Sequence, residues 1–265
     1  MHKACIGGRR ELSLFLMKRL QAGAGAAALA LVLGALAARA DYVGQYGASL
    51  CSDSARYYCV TAGKKAVERE VRSGQGTRKV RALSDPTWED IFPDPVEREI
   101  VMKLNRLNYP LKAGYKIAVP KDLAGKSLMD FSPFPKKIAA RGEKLIIFDP
   151  ALLAFAAYDA EGTLRRWGPA VGGRAGLETR AGQYRITGKG GPDCRSRVYP
   201  RGCRGRGCSP MPYCMNFNQG AAFHGGPLPG RRESHGCVRL FDDDAKWLNL
   251  EFAEVGVKVE IRPYP

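Results

Sequence analysis

Acidic residues are scarce in this chain. Its 265 residues include 42 lysines and arginines but only 26 aspartates and glutamates, so the formal net charge is +16. Such an excess favours anionic partners, for example cell-wall carboxylates, phosphate-bearing envelope polymers or membrane lipids. No run of arginines interleaved with aromatic residues is present, so nucleic acid is not an expected partner. A solvated surface rich in basic side chains is the alternative explanation.

Long apolar runs are also missing. The run from Ala24 to Ala38 is short for a membrane span and is followed by polar sequence. Lys18 and Arg19 precede it, and an Ala-x-Ala pattern ends it at Ala40. This is the pattern of an export signal, with an uncleaved anchor as the alternative. We expect residues 1–40 to be a signal peptide and the protein to be exported to the periplasm or cell envelope.

The eight cysteines lack the paired Cys-x-x-Cys spacing of many zinc sites. Cys5 falls within the signal, which leaves an odd number, and an oxidising compartment then leaves one free thiol. Cys51 and Cys59 are close together and isolated, so we expect them to pair. The four cysteines between 194 and 214 can close two bridges in any of three connectivities, and Cys237 remains. A zinc site in the four-cysteine cluster is the competing interpretation.

The free thiol lies in the stretch Ser234-His235-Gly236-Cys237. Thiolate is the nucleophilic form of cysteine, and a nearby imidazole commonly generates it. On an extended segment, residues i and i+2 share a face, so both side chains would address one site. Gly236 would let a substrate carbonyl approach backbone amides that form an oxyanion hole. The alternative is a small buried cysteine beside a histidine whose hydrogen bonds are satisfied.

A longer set of segments resembles the L,D-transpeptidase (YkuD-type) catalytic domain. The similar segments are His224-Gly225, 234–240, 244–245, 247–248 and, upstream, 146–148, 157–159, 167–173 and 179–187. They cover most of residues 140–265. The resemblance implies a mainly β catalytic domain, a mixed-sheet β-sandwich with one helix. The patterns within it predict strands at 145–148, 152–158, 164–167, 183–187, 237–240 and 257–261, and a helix over 242–254.

The resemblance also implies a reaction. Cys237 is expected as the nucleophile, His235 as the general base and acid, and the backbone at Gly236 as the oxyanion donor. Substrate-binding residues are expected at His224, Gly225, Ser234 and Arg239. The thiolate would attack the carbonyl that follows the L-centre of the third stem-peptide residue and expel D-alanine. An amine of a second stem would then resolve the thioester and give a 3→3 peptidoglycan cross-link.

Other acceptors are open. Water would make the protein an L,D-carboxypeptidase, and a lysine of an envelope lipoprotein would make it a ligase that anchors that lipoprotein to the wall. A different class, a non-catalytic peptidoglycan-binding protein, predicts an unreactive Cys237. No metal or organic cofactor is expected. The expected partners are stem peptides and glycan strands, and we expect a monomer.

The residues before the catalytic domain predict a small α/β module. Asp94 and Pro95 mark the start of a helix that should end near Asn108, and a strand follows up to Pro120. With a strand at 78–83 and a helical turn at 87–92, the order is strand, helix, helix, strand, which resembles a LysM-type module. That resemblance implies glycan binding. A packing domain without a ligand is the alternative.

The sequence therefore predicts five parts, of which the signal peptide is the first. Residues 41–76 form a disulfide-stapled extension, 77–125 the LysM-like wall-binding module, 126–139 a proline-bearing linker and 140–265 the catalytic domain. A cysteine-rich insertion at 192–214 interrupts the catalytic domain and carries five arginines, namely Arg195, Arg197, Arg201, Arg204 and Arg206. We hypothesise that they receive the carboxylates of stem peptides, with solvated decoration as the alternative.

Overall fold

The computed structural model describes residues 46–73, 76–139 and 141–265. The predicted signal peptide, with Cys5, lies outside these residues. Within the three ranges, no helix is long and apolar enough to cross a bilayer. Three disulfides are present among these residues, Cys51–Cys59, Cys194–Cys214 and Cys203–Cys208. The predicted Cys51–Cys59 pair is confirmed, and the connectivity left open for the other four cysteines is the nested one.

The N-terminal region is a small α/β structure. Its elements are α1 (Tyr46–Leu50), β1 (Tyr57–Thr61), β2 (Lys65–Ser73), β3 (Gly76–Ser84), α2 (Trp88–Ile91), α3 (Pro95–Leu104) and β4 (Lys116–Pro120). β1 and β4 pair antiparallel, from Tyr57 opposite Pro120 to Thr61 opposite Lys116. The strand predicted at 78–83 forms as part of β3, but it pairs with β2 in a hairpin and not with β4. The first strand of the strand–helix–helix–strand order is therefore β1.

Local chemistry sets the bounds of α3. The Asp94 carboxylate accepts hydrogen bonds from the backbone amides of Val96 and Glu97 at 2.8 and 2.9 Å, and Pro95 takes the first helical position. The helix ends at Leu104, earlier than the predicted Asn108. It ends there because Arg106 adopts a left-handed backbone conformation with φ of 58°, which cannot continue a right-handed helix.

The catalytic region is one nine-stranded mixed sheet. Its strands are β5 (Leu145–Asp149), β6 (Ala154–Tyr158), β7 (Leu164–Val171), β8 (Gly182–Arg185), β9 (Gly188–Lys189), β10 (Met215–Asn218), β11 (Ala221–Gly225), β12 (Val238–Leu240) and β13 (Lys258–Ile261). The order across the sheet is β8-β13-β5-β6-β7-β12-β11-β10-β9. β8 and β10 also approach each other, which shows that the sheet curls. The predicted mainly β, mixed-sheet fold with one helix is confirmed.

The sheet is covered on both faces. On one face α4 (Asp242–Trp247), which continues as a wider helical turn to Phe252, packs on a core that contains Phe148, Phe155 and Phe223. On the other face, Trp167 packs with Ile100 and Leu104 of α3. The N-terminal region and the catalytic sheet thus share a hydrophobic core. The domain boundaries given above stay predictions.

A buried ion cluster joins α3 to α4. The Lys103 ammonium lies 2.5 Å from an Asp243 carboxylate oxygen and 3.1 Å from one of Asp244, and Arg166 Nε lies 2.8 Å from the same Asp244 oxygen. The Lys103 and Asp244 side chains are 1% and 0% exposed. Burial, with the neighbouring Asp243 charge, raises the pKa of Asp244 to about 6, although Lys103 and Arg166 oppose this.

Candidate active site

Cys237 immediately precedes β12 and is the one unbridged cysteine among the described residues, as the cysteine count predicts. It is partly buried, and its side chain packs against a cluster that contains Met211, Cys214 and Ala222. The sulfur lies 3.8 Å from the carbonyl oxygen of Gly220. The thiol is thus held at the edge of the core, between the sheet and the base of the cysteine-rich insertion.

Two parallel strands place the upstream histidine opposite a residue of the strand that follows Cys237. β11 and β12 pair in parallel with His224 opposite Arg239, and Arg239 is two residues from Cys237. The positive charge of Arg239 acts on the Cys237 thiol and on both imidazoles, those of His224 and His235. Three of the residues predicted from the sequence therefore surround one cation. Among the described residues, no ion pair engages Arg239.

The segment from Ser234 to Cys237 is a tight turn and not the extended segment assumed from the sequence. Gly236 has φ of 117°, a conformation that favours glycine. The Ser234 hydroxyl donates to the Cys237 carbonyl and accepts the Gly236 amide at 3.1 Å. Because the segment is not extended, the alternation of side chains along a strand does not place His235 and Cys237 on one face. The Gly236 amide, expected as an oxyanion donor, is already engaged.

The same turn changes the expected role of Ser234. Its side chain is buried, with 2% exposure, and both of its hydrogen bonds lie within the turn. Its backbone is pinned as well, because its amide donates to the Gly172 carbonyl and its carbonyl accepts from the Arg174 amide. Ser234 therefore shapes the turn that presents Cys237. Its hydroxyl is not free to contact a substrate.

His224 is a buried imidazole with a fixed orientation. It is 6% exposed, and its Nδ1 lies 2.7 Å from the Gly225 carbonyl oxygen. The contact fits a ring that carries its proton on Nδ1 and leaves Nε2 as an acceptor. Burial lowers the pKa of His224 to about 4, with the Arg239 charge acting in the same direction and the Gly225 carbonyl opposing it. The ring is therefore neutral at physiological pH.

Gly225 supports this arrangement. Its amide donates to the Pro212 carbonyl at 2.8 Å, and its carbonyl accepts a hydrogen bond from His224 Nδ1. A side chain at this position would meet the Asp242 carboxylate, since a Cβ atom built there lies 2.4 Å from Asp242 Oδ1. Gly225, which was expected to bind substrate, thus orients His224 and packs against the start of α4.

His235 has a different environment. It is exposed, and its ring packs on Tyr199 of the insertion with the ring centroids 4.2 Å apart and an interplanar angle of 31°. Partial burial, together with the charges of Arg174 and Arg239, lowers its pKa. Among the described residues, neither imidazole makes a hydrogen bond to the Cys237 sulfur.

The Cys237 thiol is protonated at rest. Burial raises its pKa above the ordinary value, and this outweighs a hydrogen bond with the Ala222 backbone and the charge of Arg239, which both lower it. A neutral thiol and neutral imidazoles are consistent with each other. In this arrangement a base must remove the proton as the sulfur attacks.

Two residues near the site were not predicted from the sequence. Tyr199 reaches His235 from the insertion, and Arg174 acts electrostatically on the same ring. Tyr199 carries no local signal, because its approach depends on how the disulfides fold the insertion. Arg174 is placed by the bridge between Gly173 and Ser234, a long-range contact.

In the parts of the chain that the structure covers, no group of three or more His, Cys, Asp or Glu side chains is arranged to hold an ion. The four insertion cysteines pair as Cys194–Cys214 and Cys203–Cys208. This pairing overturns the zinc interpretation, since sulfurs joined in disulfides are not thiolate ligands.

Several solved structures are similar to this chain. A structure of the L,D-transpeptidase from Xylanimonas cellulosilytica shares 19% identity over 61% of this chain and 78% of its own, with a TM-score of 0.46. The L,D-transpeptidase of Stackebrandtia nassauensis shares 24% identity over 63% and 78%, with a TM-score of 0.45. That of Mycobacterium smegmatis shares 16% over 77% and 93%, with a TM-score of 0.40. No curated protein matches the chain.

The family comparison is specific to one segment of the chain. Residues 143–261 match the L,D-transpeptidase catalytic domain family, YkuD. The match begins just before β5, ends with β13, and so encloses the whole nine-stranded sheet together with His224, His235 and Cys237. This segment of the chain therefore belongs to the YkuD family of L,D-transpeptidase catalytic domains.

Proposed function

We propose that this protein is a peptidoglycan L,D-transpeptidase that forms 3→3 cross-links through an acyl-enzyme on Cys237. The observation that carries the proposal is the one unbridged thiol among the described residues, which lies within the family domain and is subject to the positive charge of Arg239. The family acts on the cell wall, and the three disulfides together with that family support export.

In the proposed first step the Cys237 sulfur attacks the carbonyl that follows the third stem-peptide residue. A C–S bond forms, the C–N bond to the terminal D-alanine breaks, and the proton from the thiol leaves with the D-alanine amine. In the second step the side-chain amine of another stem attacks the thioester and restores the thiol. The Cys237 amide is the candidate oxyanion donor in place of the Gly236 amide, which already donates to the Ser234 hydroxyl.

For the base we propose His224. Its ring is buried, neutral and oriented by a backbone carbonyl, and it shares a face of the paired strands with Arg239. His235, the base expected from the sequence, is the second candidate. Replacing each with glutamine separates them, since loss of the base should abolish acylation, whereas loss of a histidine that only lines the site should slow it.

A carbapenem tests the nucleophile directly. Incubation of the full mature chain should add one covalent adduct, seen by intact-mass measurement, and the Cys237→Ala variant should gain none. An unmodified wild type would favour the other class, a non-catalytic peptidoglycan-binding protein. An adduct that persists in Cys237→Ala would place the nucleophile elsewhere.

The acceptor needs a separate experiment. Digestion of a purified disaccharide-tetrapeptide should accumulate a cross-linked dimer if a second stem is the acceptor. Accumulation of the tripeptide alone would identify an L,D-carboxypeptidase. Transfer to a lysine-bearing lipoprotein added to the same reaction would identify a ligase.

The N-terminal region has a proposed role of its own. We propose that it binds glycan strands, because β1, α2, α3 and β4 follow the strand–helix–helix–strand order, with the β2–β3 hairpin inserted after β1. Co-sedimentation of the full chain with insoluble peptidoglycan, with and without released glycan strands as competitor, tests this. Retention that free glycan does not reduce would refute it.

A further inference from the structure

The cysteine-rich insertion reaches the site through one aromatic contact. Tyr199 lies against the His235 ring with centroids 4.2 Å apart. A ring packed in this way covers one face of the imidazole and limits its rotation. The His235 backbone is fixed on its other side, because the preceding Ser234 is pinned to Gly172 and Arg174. The imidazole is therefore held between a rigid turn and a residue from the insertion.

Tyr199 is itself tightly held. Its amide donates to the Ser196 hydroxyl at 2.9 Å, and its carbonyl accepts from the Ser209 amide at 3.0 Å. The Ser196 amide donates in turn to the Ser209 carbonyl at 2.9 Å. Ser209 of one limb thus bonds both Ser196 and Tyr199 of the other limb, and these bonds fix the backbone of the tyrosine.

Covalent bonds fix these limbs to the catalytic sheet. Cys194–Cys214 closes the base, next to β10, and Cys203–Cys208 closes the tip. Between them the Arg195 guanidinium donates to the carbonyls of Arg206 and Cys208, at 3.1 and 2.8 Å. The position of the Tyr199 ring is consequently tied to the catalytic sheet through the disulfide at the base of the insertion.

We propose that Tyr199 is a positioning residue that holds the His235 imidazole as a fixed wall of the cleft beside Cys237. The proposal rests on the proposed function for its role in acyl transfer. A wall so placed restricts how the donor peptide approaches Cys237. The lowered pKa of His235 agrees with a partly desolvated ring near Arg174 and Arg239.

The ring contact can be tested without any activity. The chain has only three histidines, so the His235 imidazole resonance can be assigned with a His235→Gln variant of the full chain. In Tyr199→Leu the pKa of His235 should rise towards its ordinary value of 6.5, and Tyr199→Phe, which keeps the ring, should behave like the wild type. Tyr58→Leu, at an exposed tyrosine of β1, is the control. An unchanged titration of His235 in Tyr199→Leu overturns the proposal.

The kinetic test asks whether the two rings act as a unit. Tyr199→Leu and His235→Gln should each slow carbapenem acylation of Cys237 by about tenfold, and the double variant should be no slower than the slower single variant. Effects that multiply in the double variant refute positioning through His235. If the wild type is not acylated, the proposed function fails, while the titration above still decides whether Tyr199 holds the ring.

Discussion

Replacing Lys103 with methionine should destabilise the protein strongly, because it leaves a buried carboxylate without its main cation. Lys103 is 1% exposed and bonds Asp243 and Asp244, and Asp244 is fully buried. Loss of one partner of a buried pair costs about 3–5 kcal/mol. Arg166, 2.8 Å from Asp244, remains as a partial partner. We therefore expect a loss near the lower end, about 3 kcal/mol of unfolding free energy at pH 8.

The loss should depend on pH. Since the pKa of Asp244 is raised to about 6 from an ordinary 3.8, the folded protein binds more protons than the unfolded chain between these values. The contribution of this group to stability is therefore highest at low pH and falls as pH rises through that window. Without Lys103 the pKa of Asp244 rises further. At pH 5 the carboxyl is then neutral, and the destabilisation relative to the wild type should shrink.

Urea unfolding followed by tryptophan fluorescence at pH 5 and pH 8 measures both effects. Lys103→Met with Asp244→Asn should recover much of the loss at pH 8, because no charge is then stranded. Lys112→Met, at an exposed lysine, is the matched control. A loss below about 1 kcal/mol, or one equal at both pH values, would refute the reasoning.

Three further predictions concern the site. The donor KM in steady-state assays should rise several-fold when four insertion arginines are replaced by serine, namely Arg197, Arg201, Arg204 and Arg206. Arg195 is kept because its guanidinium bonds two carbonyls. An unchanged KM would show that these arginines are only solvated surface residues. Iodoacetamide should alkylate Cys237 faster as pH rises beyond neutral, because burial raises the thiol pKa, and a flat rate from about pH 6 to 8 would instead indicate a thiolate–imidazolium pair. Gly236→Ala should cost about 1–2 kcal/mol in urea unfolding and slow acylation, since φ is 117° there, and a variant as stable as the wild type would contradict this.

The features that the sequence predicted well depend on local patterns. The strand at 145–148 forms as Leu145–Asp149, because a continuous apolar run between polar residues favours a buried strand. The start of α3 follows from Asp94 and Pro95, whose capping needs only neighbouring amides. The free Cys237 follows from counting, because the six other described cysteines pair within short stretches.

The features that the sequence missed depend on contacts between distant segments. The partner of β4 is β1, whose residues alternate too briefly to predict a strand. The longer pattern at 78–83 was therefore predicted as the first strand of the module, although it pairs with β2. The shape of the turn before Cys237 depends on how the Ser234 hydroxyl bonds, which residue spacing does not reveal. The same holds for His224, which a carbonyl fixes in place, and for Tyr199, which the insertion delivers.

The nesting of Cys203–Cys208 inside Cys194–Cys214 bears on how the chain must be oxidised. If cysteines joined in the order in which they leave the secretion channel, Cys194 would meet Cys203 first and Cys208 would be left for Cys214. Such vectorial pairing would still spare Cys237, the last cysteine of the chain, but it would misfold the limb that carries Tyr199. The native bridges thus differ from those that pairing in order of emergence would form. A mispaired product would keep the Cys237 thiol while losing the tyrosine beside His235.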